Sequence, residues 1–319
     1  MERRVARAED LPPLELSNVR TLELERSSPD GLAHVAAASG VVRRDEYVYV
    51  VGDDLLFLAV FDASSKDPGQ LRRVLPGERT DPAVESPEDK PDLEVLTVLP
   101  PFESHPNGAL LGLGSGSTPA RDRGFAWGLA ADGSLHGEPL QLDLAPLYSL
   151  LREHLEALNV EGAAVMGDEL WLLQRGNSEQ GVNLVVSLEL SEVLDSLLRD
   201  RTLAAPELRG MLAFDLGELE GAELTFSDAS PLGGELLVFT ASAEDSSDGG
   251  NGAILGSVVG TIDRGGEVRR LRTIDRNYKV EGVHAALDTG VVTMTFVCDQ
   301  DDPDTASPLL SATLPVDPP

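Results

Sequence analysis

The sequence is short of cysteine, of basic residues, of aromatic residues and of long apolar runs. Each shortage closes off a class of protein. A single cysteine, Cys298, excludes an internal disulfide. The 25 basic residues stand against 55 acidic ones, a formal net charge of −30. Such a balance excludes the basic footprint that a duplex nucleic-acid binder needs. It equally disfavours docking on an anionic membrane surface. The acidity reads as a solvated, self-repelling surface. The longest apolar runs, such as Leu55 to Phe61, are far too short to span a bilayer. The opening Met-Glu-Arg-Arg-Val-Ala-Arg-Ala-Glu-Asp lacks the apolar core of a secretory signal. A soluble, cytoplasmic protein is expected, with a removed leader as the alternative. Aromatic residues make up 4% of the chain, few for a scaffold with aromatic hot spots.

What the chain does have is apolar content and repetition. Its 319 residues are 41% hydrophobic, enough for a large core. Five segments open alike: Ser39-Gly-Val-Val, Glu94-Val-Leu-Thr-Val, Glu161-Gly-Ala-Ala-Val, Ser227-Asp-Ala-Ser-Pro and Glu281-Gly-Val-His-Ala. The intervals between their first residues are 55, 67, 66 and 54. Short Val-, Leu- and aromatic-rich runs bounded by turn residues follow each opening, as expected of strands. A period near this length predicts an array of small sheets.

The expected fold is all-β: a single domain over residues 1–319, a five-bladed β-propeller. The blades are placed at about 31–76, 92–143, 159–216, 223–275 and 279–315. The fifth has only three strands of its own. Asn18–Leu24 alternates apolar and polar residues and is expected to supply the outer strand, closing the ring and removing an open edge. Two short helices, Pro146–Leu158 and Ser191–Arg199, are expected as insertions in the two longer intervals, the second capped by Ser191. A sixth, degenerate blade within Leu11–Leu24 is the alternative, disfavoured by Pro12-Pro13. The polar loops Gly77–Pro91 and Ala243–Gly252 read as exposed connectors.

In a propeller the first strand of each blade lines the central channel. Ser39, Glu94, Glu161, Ser227 and Glu281 then converge on the axis, and Gly40, Gly162 and Gly282 let the backbones crowd there. Three converging carboxylates must be protonated, be hydrated or hold a cation. Hard oxygen donors suit Ca²⁺ better than Mg²⁺, and the absence of a Cys/His cluster disfavours Zn²⁺. The alternative is a water-filled channel in which the glutamates pair with Lys or backbone NH groups, Lys279 serving Glu281.

The order Ser, Glu, Glu, Ser, Glu over five blades resembles the calcium-activated nucleotidases, or apyrases. That resemblance implies a five-bladed propeller with an axial Ca²⁺ on Ser39, Glu94, Glu161, Ser227 and Glu281. The family's Asp-rich nucleotide-handling segment has no counterpart here, and Arg20-Thr-Leu-Glu-Leu-Glu does not supply it. Asn159-Val-Glu-Gly and Lys279-Val-Glu-Gly are also similar to uncharacterised bacterial phytase-like propellers.

The turns between second and third strands should lie on the face where the first strands begin. That face would gather Asp53, Asp54, Ser115, Ser117, Arg121, Arg175, Asn177, Glu244, Asp299, Gln300 and Asp301, bordered by His34, Asn159 and Lys279. Ser117, Arg121, Arg175, Asn177 and Lys279 form a candidate site for an anionic small molecule gripped through phosphate or carboxylate. A metal beneath would polarise a phosphoryl group or activate water. The alternative is that both arginines pair with local carboxylates. Cys298 reads as a buried small residue and His284 as a core or channel residue. Two functions follow: a metal-dependent hydrolase of a phosphoester, or a non-enzymatic ligand- or protein-binding propeller with a structural Ca²⁺. A glycosidase using two axial glutamates is a third. No general base or nucleophile declares itself.

Overall fold

A computed structural model describes residues 3–26, 31–77, 90–176, 182–203, 207–244, 254–275 and 278–315. Five antiparallel sheets radiate from one axis, and each runs from an inner strand outward. The first blade comprises β3 (Ala38–Arg44), β4 (Tyr47–Gly52), β5 (Phe57–Asp62) and β6 (Gln70–Arg73); it is preceded in sequence by β1 (Arg3–Val5) and β2 (Ser17–Thr21). The second holds β7 (Leu93–Leu99), β8 (Ala109–Gly114), β9 (Arg123–Gly128) and β10 (Leu140–Asp143). The third holds β11 (Val160–Met166), β12 (Glu169–Gln174), β13 (Asn183–Glu189) and β14 (Leu208–Asp215). The fourth holds β15 (Glu218–Leu219), β16 (Ala222–Leu232), β17 (Leu236–Glu244), β18 (Ile254–Asp263) and β19 (Val268–Thr273). The fifth holds β20 (Val280–Asp288), β21 (Val291–Cys298) and β22 (Pro308–Pro315).

The ring closes as expected. β2 pairs antiparallel with β22 and completes the fifth blade, and among the described residues there is no sixth blade. Leu22, just beyond β2, is fully buried against the first blade. Burying such a side chain contributes about 1.5–3 kcal/mol, so the two chain ends are tied by packing as well as by the ladder. One strand was not foreseen: β1 adds in parallel to the outer edge of the third blade. Its Arg-Arg-Val sequence is exposed and too short to signal a strand by alternation.

Burial falls from the axis outward. Inner and second strands carry near-continuous apolar runs, because both faces of each blade are covered by neighbouring blades. Outer strands alternate or expose charge, as in Gln70-Leu-Arg-Arg. Arginines on such edges block edge-to-edge pairing. The seams differ in filling. Phe214, Phe226 and Phe239 stack edge-on between the third and fourth blades, with ring centroids 5.7 and 5.2 Å apart. The seam between the fourth and fifth blades has mainly aliphatic side chains, with Phe296.

The helices require two corrections. Helix α1 spans Ala145–Arg152 only and ends before Leu158. Its register is held by Tyr148, which is buried and donates its hydroxyl to the Gly114 carbonyl at 2.5 Å. Helix α2 spans Leu190–Asp200 and begins one residue before Ser191. Ser191 therefore does not cap it; its hydroxyl donates to Glu189 Oε1 at 2.6 Å. Both helices cover the second and third blades through Leu147, Leu151, Val193 and Leu197. Among the described residues, no helix is long and apolar enough to cross a membrane.

Candidate functional site at the propeller axis

Each inner strand has one register shift against its second strand. The shifts fall between Ala38 and Gly40, Leu93 and Val95, Val160 and Gly162, Phe226 and Asp228, and Val280 and Gly282. The residue skipped in each case is Ser39, Glu94, Glu161, Ser227 or Glu281. All five candidate axial residues are thus bulge residues, at structurally equivalent places. A β-bulge leaves one residue out of the ladder and re-aims its side chain. Ser39, Glu161, Ser227 and Glu281 are buried, and Glu94 is partly so.

The glycines after three of these bulges have a steric cause. A Cβ on Gly162 would lie 2.7 Å from the Ala229 amide nitrogen, and one on Gly282 would lie 2.5 Å from the Ser39 carbonyl oxygen. A Cβ on Gly40 would lie 2.9 Å from the Leu96 nitrogen. Adjacent inner strands touch through their backbones, which sets how tightly the ring closes.

A second tier lies two residues before each bulge. Asp92, Asn159 and Lys279 occupy it in the second, third and fifth blades. Asn159 donates to Glu161 Oε1 at 2.6 Å. Lys279 Nζ lies 3.8 Å from Glu281 Oε1 and donates to Asp299 at 2.7 Å and Asp301 at 2.8 Å. Buried Asp92 accepts from Ser115 and from Arg121 Nη1, the latter at 2.8 Å. Arg121 also donates to Ser117 at 2.6 Å. Lys90, on the approach to β7, donates to Asp53 at 2.9 Å. Sequence reading passed over Asp92 and Lys90. For Asp92 the signal is the i−2 position that Asn159 and Lys279 hold ahead of Glu161 and Glu281; Lys90, four residues before Glu94, does not share it.

Arg175 stands over the ring. Its guanidinium donates to Glu244 and lies 3.6 Å from Glu161 and 4.0 Å from Glu281. The structure therefore brings together Arg175, Lys279, Glu161 and Glu281, and in a neighbouring group Ser117, Arg121 and Asp92. Asn177 lies outside the described residues. His34 is turned to the Pro303 carbonyl at 2.9 Å. The pairing foreseen as the alternative for the arginines and for Lys279 is present.

The mouth has an excess of acid. Among the described residues it gathers Asp53, Asp54, Asp92, Glu94, Glu161, Glu244, Glu281, Asp299 and Asp301 around Lys90, Arg121, Arg175 and Lys279. The carboxylates respond accordingly. Burial pushes Glu94 well above the usual carboxylate range, and Glu161, Asp92, Asp53 and Glu281 push it further. Burial raises Glu161 to about 8, against the pull of Arg175. Burial also raises Glu281, against Arg175 and Lys279, and raises Asp53 to about 6 despite Lys90. For Asp299 the balance reverses: burial opposes ionisation, but Lys279 holds the group below its ordinary value.

One acid was missed altogether. Asp228 takes the place after its bulge that glycine takes in three other blades. It is fully buried, accepts from the Val283 amide at 2.8 Å and leaves Oδ1 without a hydrogen-bond partner. Burial drives its pKa well above the ordinary carboxylate value, which holds it protonated. At the far end of the channel, a cavity of about 150 Å³ lies among residues of β3, β7, β16 and β20 and includes His284. Burial lowers His284 to about 4, so it is neutral at pH 7. Cys298 is buried, as expected.

The fold and this ring define a five-bladed β-propeller with an acid-rich axial mouth. The chain belongs to a family of unknown function, DUF6929, whose model matches residues 34–314. Among solved structures it is similar to glutaminyl cyclase from Myxococcus xanthus, at 12% identity and a TM-score of 0.46, covering 95% of this chain and 100% of that one. It is similar to a luciferin-regenerating enzyme at 11% identity and a TM-score of 0.42, covering 90% and 80%. A polysaccharide lyase of the ulvan-lyase type matches at 12% and 0.40, covering 93% and 72%. Likenesses at this level carry no inference about chemistry. A search of curated proteins gives no match.

Proposed function

We propose that the axial mouth binds a divalent cation, Ca²⁺ in preference to Mg²⁺, and that the propeller is a cation-dependent binding module. The observation that carries this reading is Glu94: partly buried on the axis, beside Glu161 and Asp92, it has no hydrogen-bond or ion-pair partner among the described residues. The donor chemistry fits. Every axial side chain offers oxygen, the donor type that Ca²⁺ takes in sixes to eights. Arg175 stands off Glu161 and Glu281 at 3.6 and 4.0 Å, beyond hydrogen-bond reach, so these oxygens keep acceptor capacity. Among the described residues, no three His, Cys, Asp or Glu side chains are already gathered for a metal, which weighs against a preformed site. Binding would have to draw Glu94 and Glu161 in toward the ion, with Glu281, Ser39 and Ser227 as the remaining oxygen sources. When bound, it would supply the positive charge that the excess carboxylates lack.

The phosphoester-hydrolase reading has less support. Arg121 and Arg175 are each engaged by carboxylates, which leaves a phosphate to compete with Asp92, Glu161, Glu244 and Glu281. Calorimetric titration of EDTA-stripped protein tests the cation. Saturable Ca²⁺ binding that is lost in Glu94→Gln and Glu161→Gln, with both variants melting as cooperatively as wild type, is the expected result. Absence of binding in the stripped wild type would sink the proposal.

A further inference from the structure

Away from the axis, the seam between the fourth and fifth blades opens at its outer end into a groove of about 560 Å³. Its walls are apolar: Leu236, Val238 and Val259 face Val292, Met294 and Leu314. This seam is lined mainly by aliphatic side chains. Between the third and fourth blades, Phe214, Phe226 and Phe239 pack against one another instead. Here Thr261, with a small side chain, sits on the wall. At the mouth Leu287 is 52% exposed, an unusual exposure for leucine in so acidic a surface. The volume falls within the range of about 300–1,000 Å³ that small-molecule pockets span.

Its rim is charged against the sign of the protein. β19 reads Val-Arg-Arg-Leu-Arg-Thr, and Arg269, Arg270 and Arg272 border the groove, opposed by Glu9 and Glu235. Arg269 is engaged by Asp263, to which its Nε donates at 2.6 Å. Arg272 is different. It donates to the carbonyls of Pro12 at 2.8 Å and Pro13 at 3.5 Å, neutral acceptors that fix the guanidinium without cancelling its charge. An oriented cation at the edge of an apolar slot, in a chain of net charge −30, selects a ligand with one anionic head and one apolar body.

The geometry points to a second binding site in this groove, for a small amphipathic carboxylate, its apolar body between the blades and its carboxylate on Arg272. The site is independent of the axial mouth, and chelation of divalent cations leaves it intact. Equilibrium dialysis of the full chain with labelled dodecanoate, below its micellar concentration, tests it, with 1-dodecanol as the uncharged comparator. Expected are saturable one-to-one binding of dodecanoate and binding of dodecanol weaker by about tenfold or more. Thr261→Trp, which fills the groove, abolishes binding, and Arg272→Gln brings dodecanoate down to the level of dodecanol. Both variants are compared at matched melting temperature. No dodecanoate binding, equal affinity for the alcohol in wild type, or binding untouched by Thr261→Trp each overturns the proposal. Should Thr261→Trp fail to fold, the dodecanoate-to-dodecanol ratio in wild type and in Arg272→Gln decides it.

Discussion

The Arg175 guanidinium lies 3.6 Å from the Glu161 carboxylate, over the point where the inner strands converge. Glu161 is the bulge residue of β11, and Arg175 directly follows β12, so a single hairpin presents both charges to the axis. Glu244 and Glu281 arrive from two other blades. Arg175 is thus the charge that lets three blades bring carboxylates together. Its own ionisation is secured: burial opposes it, but Glu161, Glu281 and Glu244 raise it well above the ordinary arginine value. Removing one partner of a buried charge cluster leaves the others uncompensated, which typically costs about 3–5 kcal/mol. Arg175→Ala is expected to destabilise by that order at pH 9 in urea unfolding, above the raised Glu161 value of about 8, and by clearly less at pH 5, where the axial glutamates are protonated. Equal losses at the two pH values would show that packing, not charge, is what Arg175 supplies.

The axial acids also set the sign of the pH dependence. Glu161 is raised to about 8 in the folded protein, against an ordinary glutamate value of 4.5. A group with a raised folded pKa contributes stability that is fully present below its unfolded pKa and lost as pH rises through the folded pKa. Glu94, Glu281 and Asp53 shift in the same direction. Cation-free protein is therefore expected to lose melting temperature steadily between about pH 4.5 and pH 8. Glu161→Gln, which cannot ionise, should flatten the slope. A melting temperature that rises across this window in EDTA, in wild type at fixed ionic strength, would contradict the assignment.

The repeat made the propeller legible because the five bulge residues recur as a small or acidic residue ahead of an apolar run. Ser39, Glu94, Glu161, Ser227 and Glu281 could be aligned by type alone, and the missing strand of the fifth blade followed from counting. Other features were not legible, for physical reasons. β1 is three exposed residues whose structure comes entirely from the edge of β14. Helix α1 ends at Arg152, whose guanidinium is held by Asp122 and the Gly116 carbonyl, tertiary contacts that no periodicity reports. Asp228 looked like one acid among 55, since burial is invisible in a residue name. The partners of Arg175 come from three separate blades, so spacing gave its neighbourhood but not its engagement.

Asp228 supports the inner ring in a way its neighbours do not. In the first, third and fifth blades the residue after the bulge is glycine, and backbone crowds against backbone. In the fourth it is an acid whose Oδ2 receives the Val283 amide of the adjacent blade at 2.8 Å. Asp228→Ala removes the acceptor and strands a buried N–H, a loss of about 1–3 kcal/mol. Asp228→Asn keeps an acceptor oxygen and removes ionisation. Its stability is expected to be less dependent on pH between 5 and 8 than that of wild type, because the proton that buried Asp228 holds when folded and releases on unfolding is no longer in play. Chemical denaturation at the two pH values checks both variants.

Closure of the ring can be tested at Gly162. An added Cβ would stand 2.7 Å from the Ala229 nitrogen and 3.0 Å from the Asp228 Cα, both of them backbone atoms of β16 that cannot swing aside. Relief requires the third and fourth blades to part, and the strain spreads to the axial spacing of Glu161 and Ser227. Overpacking of this kind costs about 1–3 kcal/mol. Gly210→Ala supplies the contrast. It lies on β14, away from the axis, where the new methyl meets only the Ser187 hydroxyl at 3.3 Å. There, loss of chain freedom in the unfolded state should leave stability unchanged or raise it by about 0.4–1 kcal/mol. Urea midpoints for the two variants should therefore move apart, with Gly162→Ala lower than wild type and Gly210→Ala at or above it. Matching shifts would mean that the inner strands have room to separate, and that the glycines at the axis are not what sets the ring's diameter.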